Sequence, residues 1–275
     1  MSICQAREFW QGVFKVNVVY AFGPSWIEYA AIAIYSLLRH NTQPIHLYLL
    51  TDRLTDKQRR NLLRSAKRSN VVVTVMEVEA LYENLMPSGK NVDQQFTRYT
   101  LYRLLIPKLL REQDRALYLD TDTLVLRDLS ELYQLNFSSN LIAAVPDLGT
   151  DNPKADLGLA DTDLYINAGV LLLNLAALRT EGFDEEWVSL CQNRSFKYHD
   201  QDIINMTCKG KILFLDSRYN ACETNTSYRG PNKEIRILHF ISFKPWQQKR
   251  IPYAGIWRRY RRSYLFSKFW RMQPF

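Results

Sequence analysis

The chain has 275 residues, 47% of them hydrophobic, and a formal net charge of +8. That length holds one large α/β domain or two small ones, with one and a short C-terminal addition expected, and the apolar fraction supplies a core, which excludes a disordered chain. The charge is lopsided: Glu234 is the last acidic residue, and ten of the 36 Lys and Arg lie beyond it, so the first 234 residues carry a net −2. An enzyme of nucleic acid spreads basic charge over its main domain; this pattern argues against such a partner and describes an appended basic patch.

No run of about 18 apolar residues is present, the length a spanning helix needs. The opening Met1-Ser-Ile-Cys-Gln-Ala-Arg-Glu8 lacks the basic-then-apolar order of a secretion signal. Cys4, Cys191, Cys208 and Cys222 form no close pair of the C-x-x-C kind. The expectation is a reduced, cytoplasmic setting without a cysteine metal site.

Val16 to Phe22 is a short apolar run ended by Gly23-Pro24, the pattern of a buried strand. Ser25 is placed to cap a helix over 26–39. Further along, 45–50 reads as a strand, 55–68 as a polar-faced helix and 71–76 as a third strand. This β-α-β-α-β rhythm predicts a parallel sheet with helices on its faces. A helix is expected over 96–110, weakened near its end by Pro107, and a strand over 116–119 that stops at Asp120. The second half predicts strands at 141–145, 166–174 and 235–240, with helices at 184–194 and 200–209.

The sharpest local signal is Leu117-Tyr-Leu-Asp120-Thr121-Asp122-Thr-Leu-Val-Leu126. An apolar strand runs into two aspartates one residue apart, then resumes. In open α/β sheets ligands sit beyond the carboxyl ends of strands. Two carboxylates there repel unless a cation bridges them, and a divalent ion so held also grips a diphosphate. A bare D-x-D is more often a solvated acidic turn; the apolar runs on both sides shift the balance, because they bury the loop. Asp200-Gln201-Asp202 opens a predicted helix, where a cap is the simpler reading. His239 ends an apolar run, where a core histidine is the commoner case, and Asn167-Ala168-Gly169 within a strand fits a bulge or a close backbone approach.

Taken together, these stretches resemble glycosyltransferase family 8. The matching segments are Val16-Asn-Val-Val-Tyr-Ala21, Leu117 to Val125, Ile166-Asn-Ala-Gly-Val-Leu-Leu-Leu-Asn-Leu175, His199-Asp-Gln-Asp-Ile-Ile-Asn205 and His239-Phe240 through Lys244-Pro-Trp246. They occur in the family's order and cover most of 16–246. The resemblance implies a GT-A-type α/β fold over 14–246, with a Rossmann-like nucleotide-binding half and a mixed sheet. It implies metal ligation by Asp120, Asp122 and His239. Ala21, Trp26, Arg103, Asp120, Thr121, Asp147, Asn167, Ala168 and Lys244 would contact the donor, with Trp26 against the base and Lys244 at the diphosphate. Asp200 would bind sugar hydroxyls and Gln201 would sit beside the anomeric carbon. Two carboxylates and an imidazole suit Mn²⁺ better than Mg²⁺, because imidazole is softer than the oxygens Mg²⁺ prefers. The chain departs from the family in two places. The first strand runs into Phe22-Gly23-Pro24-Ser25 where an acidic pair is usual, and the H-x-x-G-x-x-K-P-W ending is one residue shorter and lacks its glycine.

In the segment 247–275, Ile256, Trp257, Tyr260 and Tyr264 share one helical face and Arg258, Arg259, Arg261 and Arg262 the other. Basic charge with aromatics fits an interfacial membrane segment, and a terminal helix packed on the domain is the competing reading. The expected activity is retaining transfer of galactose or glucose from a UDP-sugar to a glycan on a membrane lipid, such as lipopolysaccharide, by an enzyme held at the inner face of the membrane. A self-glycosylating protein and an inactive GT-A scaffold are the alternatives.

Overall fold

The computed structural model describes residues 15–85, 98–149, 151–222, 232–248 and 250–270. Seven strands form one sheet in the order β3-β2-β1-β4-β7-β6-β8. These are β1 (Val16–Ala21), β2 (Ile45–Thr51), β3 (Val71–Glu77), β4 (Arg115–Leu119), β6 (Ile142–Pro146), β7 (Ile166–Asn174) and β8 (Ile212–Phe214). The first four pair in parallel, as the alternating strand and helix patterns predict. β7 runs antiparallel to both β4 and β6, which makes the sheet mixed. β1 and β2 are buried along their whole length, so they read as continuous apolar runs and not as alternating ones. The order steps outward from β1 to β3 and then restarts at β4 on the other side of β1. The carboxyl ends of β1 and β4 therefore flank a topological switch point, the place where open sheets bind ligands.

A second, small sheet in the order β5-β10-β9 is made of β5 (Thr123–Val125), β10 (Ile237–His239) and β9 (Ala221–Cys222). In the antiparallel β5–β10 pair, His239 lies opposite Thr123. The stretch expected as one helix over 96–110 is, among its described residues, three short turns: Arg98–Leu101, a 3₁₀ turn Tyr102–Leu105, and Ile106–Leu109. Pro107 sits in the first turn of the last piece, where its missing N–H costs nothing.

The helix Ile27–His40 is buried on two sides, with every residue from Ala30 to Leu38 enclosed. Ala33, Ile34 and Leu37 face the large sheet. Ala31, Ile32 and Tyr35 face a separate apolar cluster with Leu124, Leu238, Phe240, Trp257, Tyr260 and Tyr264. The last three residues belong to the C-terminal helix Ala254–Trp270. Tyr260 hydrogen-bonds His40 Nε2 at 2.6 Å, and Tyr264 meets Ser65 Oγ at 3.0 Å. The aromatic face expected to meet lipid is therefore consumed by the domain itself: Trp257, Tyr260 and Tyr264 are buried and Ile256 is half-buried. The periodicity is real, but the apolar surface it matches is protein. The outward face carries Arg258, Arg259, Arg261 and Arg262 with Leu265 and Phe266, the last 66% exposed. Among the described residues, no helix is long and apolar enough to cross a membrane.

Candidate active site

A cleft of about 870 Å³ opens at the switch point, and every residue expected from the sequence to bind donor, metal or sugar lines it. Ala21 and Trp26 come from the end of β1 and the turn after it, Asp120, Thr121 and Asp122 from the end of β4, and Asp147 from the end of β6. Asn167 and Ala168 lie on β7, Asp200 and Gln201 on the helix His199–Thr207, and His239 and Lys244 at and after β10.

The backbone fixes the acidic loop. Asp120 N–H donates to Gly169 C=O at 2.9 Å, and Phe240 N–H donates to Asp122 C=O at 3.1 Å. These bonds set the loop between β7 and β10, and one ligand atom each from Asp120, Asp122 and His239 lies within 4.8 Å of the others. Gly169 is needed for this approach, because a Cβ there would stand 2.1 Å from His239 Cε1 and 2.8 Å from Asp120 Oδ2. The close backbone approach anticipated for Asn167-Ala-Gly169 is thus aimed at the histidine.

Asp120 Oδ1 accepts from Tyr118 Oη at 2.6 Å and from Arg103 Nη2 at 3.0 Å, leaving Oδ2 toward His239. Asp122 Oδ1 is buried, and among the described residues the only group set to meet it is His239 Nε2, 3.1 Å away. His239 Nδ1 is 2.9 Å from Asn220 Oδ1 and donates there, so in the neutral ring Nε2 carries a lone pair. Two electron-pair donors then face each other without a proton between them, the arrangement a cation relieves. The residues present therefore fit a divalent metal of the Asp, Asp, His kind. Burial alone would lower the imidazole's pKa, but the charges of Asp122 and Asp120 outweigh it and raise the value, so a proton competes for the same place.

Lys244 supplies the countercharge. Its Nζ is 2.6 Å from Asp122 Oδ2 and also donates to the carbonyls of Phe240 at 2.6 Å and Ile241 at 2.8 Å. Burial pushes the Asp122 carboxyl upward, yet Lys244, together with His239 in its protonated form, more than reverses this and holds it well below the usual carboxylate range. Arg103 is buried and stitches the other wall: Nε is 2.9 Å from Asp200 Oδ2, Nη2 reaches Asp120, and Nη1 donates to Ala168 C=O. Its guanidinium lies 4.5 Å over the Tyr118 ring. Burial raises Asp200 to about 6 against the pull of Arg103. Gln201 Oε1 accepts from Ala168 N–H at 3.0 Å and Asn167 Nδ2 at 3.2 Å, while its Nε2 donates to Tyr165 Oη at 3.2 Å. Asp202 takes no part in the cleft. It is fully buried, accepting from Tyr165 Oη at 2.5 Å and from Tyr198 N–H at 2.8 Å.

At the far end of the cleft the loop Phe22-Gly23-Pro24 presents no carboxylate. Gly23 lies against Tyr99, whose ring atom would stand 2.3 Å from an added Cβ. Trp26 packs edge-on against Tyr29 and Trp246, and Trp246 leans on Trp257 of the C-terminal helix. Sequence reasoning missed Asn220, Tyr118 and Tyr165. The first sits in a stretch without periodicity, and the other two read as ordinary strand aromatics.

Comparison with known proteins agrees with this geometry. The profile of Glycosyl transferase family 8 matches residues 17–250. A putative glycosyltransferase of Haemophilus influenzae is 28% identical over 217 residues, 76% of this chain and 64% of that protein, so the match spans just under two thirds of its length. A lipopolysaccharide 1,3-galactosyltransferase of Salmonella typhimurium is 28% identical over 252 residues, 84% of this chain and 73% of that one. Among solved structures, an active-site mutant of LgtC superposes with a TM-score of 0.76 at 22% identity, covering 90% of this chain and 96% of that one, which speaks to the fold alone. By the profile match over most of its length and by its mixed seven-stranded sheet, the chain belongs to the glycosyltransferases of family 8 and has the GT-A fold.

Proposed function

We propose that the chain transfers a hexose, galactose or glucose, from a UDP-sugar to a glycan acceptor with retention of anomeric configuration. The acceptor proposed is a glycan on a membrane lipid such as lipopolysaccharide. The observation that carries this reading is the convergence of Asp120, Asp122 and His239 in one cleft with Lys244, Asp200 and Gln201. Asp120, Asp122 and His239 would hold a divalent cation, Mn²⁺ in preference to Mg²⁺, which when bound would supply charge neutralisation at the leaving diphosphate.

The protein groups then divide the remaining work. Lys244 leaves Asp122 and pairs with the diphosphate as the donor enters. Asp200, anchored by Arg103, accepts hydrogen bonds from sugar hydroxyls. Double displacement needs a free nucleophile beneath the anomeric carbon. Gln201 is an amide whose oxygen already accepts two N–H groups, and Asp200 Oδ2 is tied to Arg103. This favours attack from the leaving-group side, with the acceptor's proton passing to a departing diphosphate oxygen. Gln201→Ala then retains ~1–10% activity, the scale of one lost electrostatic contact. The outward arginines of the C-terminal helix are the proposed contact with an anionic membrane, at about 1 kcal/mol for each basic residue near the surface, and the cytoplasmic face is the proposed location.

The test is a panel of nucleotide sugars with and without Mn²⁺, followed by NMR for turnover and for the configuration of the product. Metal-dependent turnover of a UDP-hexose with retention is expected. Inversion, or activity indifferent to chelator, defeats the reading, as does a glycosylated Asp200 or Gln201 peptide trapped at a rate matching turnover.

A further inference from the structure

His239 reaches the acidic pair through only one of its ring nitrogens, and which one carries the proton decides whether the site can hold a cation. A network of amides and imidazoles has a single polarity when the group that anchors it can only donate. Here the anchor is a backbone N–H, which can only donate. Gly169 N–H points at Asn167 Oδ1 at 3.0 Å, which makes that atom the acceptor. The Asn220 group that meets the same oxygen at 2.8 Å must then be its NH₂. Asn220 therefore turns its own oxygen to His239 Nδ1, 2.9 Å away, and Nδ1 must be the protonated nitrogen. All three side chains are at least nine-tenths buried, so water does not compete for these bonds.

A second backbone donor fixes the other end. Ala168 N–H points at Gln201 Oε1, so the amide of Gln201 also has one allowed orientation, and Asn167 Nδ2 donates to the same oxygen. One chain of bonds of defined polarity thus runs from Gln201 through Asn167 and Asn220 to His239.

We propose that Asn220 is the positioning residue of the metal site: it holds His239 in the Nδ1–H tautomer, so that Nε2 offers its lone pair to a divalent cation between Asp120 and Asp122. The inference rests on the reading of those three residues as metal ligands. Residues that orient a ligating histidine in this way typically contribute about 10–100-fold in metal affinity.

The test is long-range ¹H–¹⁵N NMR of the imidazole rings in the metal-free protein at alkaline pH, with Mn²⁺ affinity measured alongside by calorimetry. The chain has four histidines, so a His239→Gln spectrum assigns the signal. In the wild type the ring of His239 is expected as the Nδ1–H tautomer. Asn220→Leu, which removes the acceptor, is expected to give mixed tautomers and Mn²⁺ binding weaker by about 10–100-fold. Asn220→Asp keeps an acceptor at Nδ1 while losing the bond to Asn167. It is expected to lower the melting temperature yet hold the tautomer and bind Mn²⁺ within about threefold of the wild type. A purely structural role would move stability and affinity together in both variants, and that result overturns the proposal. So does an Nε2–H ring in the wild type, a measurement that needs no variant to fold. Failure of the wild type to bind Mn²⁺ at all strikes the metal reading instead, and the two outcomes are read separately.

Discussion

Trp257→Ala distinguishes a helix that belongs to the fold from one that belongs to a membrane. Trp257 is 5% exposed and packs with Tyr260 and Tyr264 over Ile32, Leu124, Leu238 and Phe240, and its ring is 5.4 Å from that of Trp246. Truncating a buried tryptophan to alanine costs about 3–5 kcal/mol, the transfer term plus the cavity it leaves. At about 2–4 °C per kcal/mol for a domain near this size, the melting temperature should fall by about 10 °C. Replacing Arg258, Arg259, Arg261 and Arg262 together by Ser removes exposed charge, including the 3.0 Å pair of Arg261 with Glu28, and should cost about 1 kcal/mol or less. Differential scanning calorimetry and sedimentation with anionic vesicles, applied to both variants, give opposite patterns. The tryptophan variant is destabilised, and the arginine variant is stable but no longer sediments with vesicles. A tryptophan variant that melts like the wild type and loses vesicle binding would show that the aromatic face meets lipid, and the packing argument would be wrong. By the same argument, truncation after Gly255 uncovers Ile32, Leu124, Leu238 and Phe240 and should yield an aggregation-prone protein, not a soluble core.

Three further outcomes are expected. Asp122→Asn should abolish turnover and weaken Mn²⁺ binding in the presence of UDP by well over tenfold, on the order of 1.4 kcal/mol or more, with the fold intact by circular dichroism; unchanged calorimetric binding would remove Asp122 from the ligand set. Lys244→Met should strengthen Mn²⁺ binding measured without nucleotide, because it frees the Asp122 oxygen now 2.6 Å from the ammonium, while raising the KM for donor; weaker binding of Mn²⁺ alone would show that the lysine does not compete with a cation. His46 is buried against Thr74, and burial, with Lys15 assisting, depresses its pKa to about 4. The unfolded chain takes up a proton below about 6.5 that the folded chain refuses, so this group's contribution to stability is full above that pH and is lost as pH falls toward 4. Urea titrations of His46→Gln across this window should show a shallower acid decline than the wild type, and identical slopes would refute the assignment.

The legible parts of the sequence were those where one physical signal dominates. Val16 to Ala21 and Leu117 to Leu119 are buried on both faces, so their apolar runs stand out, and the breakers Gly23-Pro24 and Asp120 mark the carboxyl ends where the cleft forms. In the small sheet β10 lies within the strand expected over 235–240, but β5 and β9 escaped because they are three and two residues long, too short for any period to show. Yet that sheet carries His239 to the aspartates. Asn220 was invisible for a related reason: its importance lies in which atom it turns toward His239, a property of three-dimensional polarity and not of residue type. The C-terminal helix was legible as amphipathic, but a hydrophobic stripe is the same whether protein or lipid covers it.

The pairing of His239 with Thr123 across two antiparallel strands has a consequence for the order in which the molecule is made. Asp122 is synthesised early, and the strand that brings the histidine beside it follows more than a hundred residues later. The loop that must close between them is long, and contacts of that kind form late in folding. An N-terminal fragment with a complete β1-to-β4 sheet has the acidic loop but no imidazole to share it. Any ligand that needs Asp122 and His239 together therefore stabilises only a chain that already includes β10, and it adds to stability in proportion to the logarithm of its concentration over its Kd. The proposed metal site is also the seal on the fold.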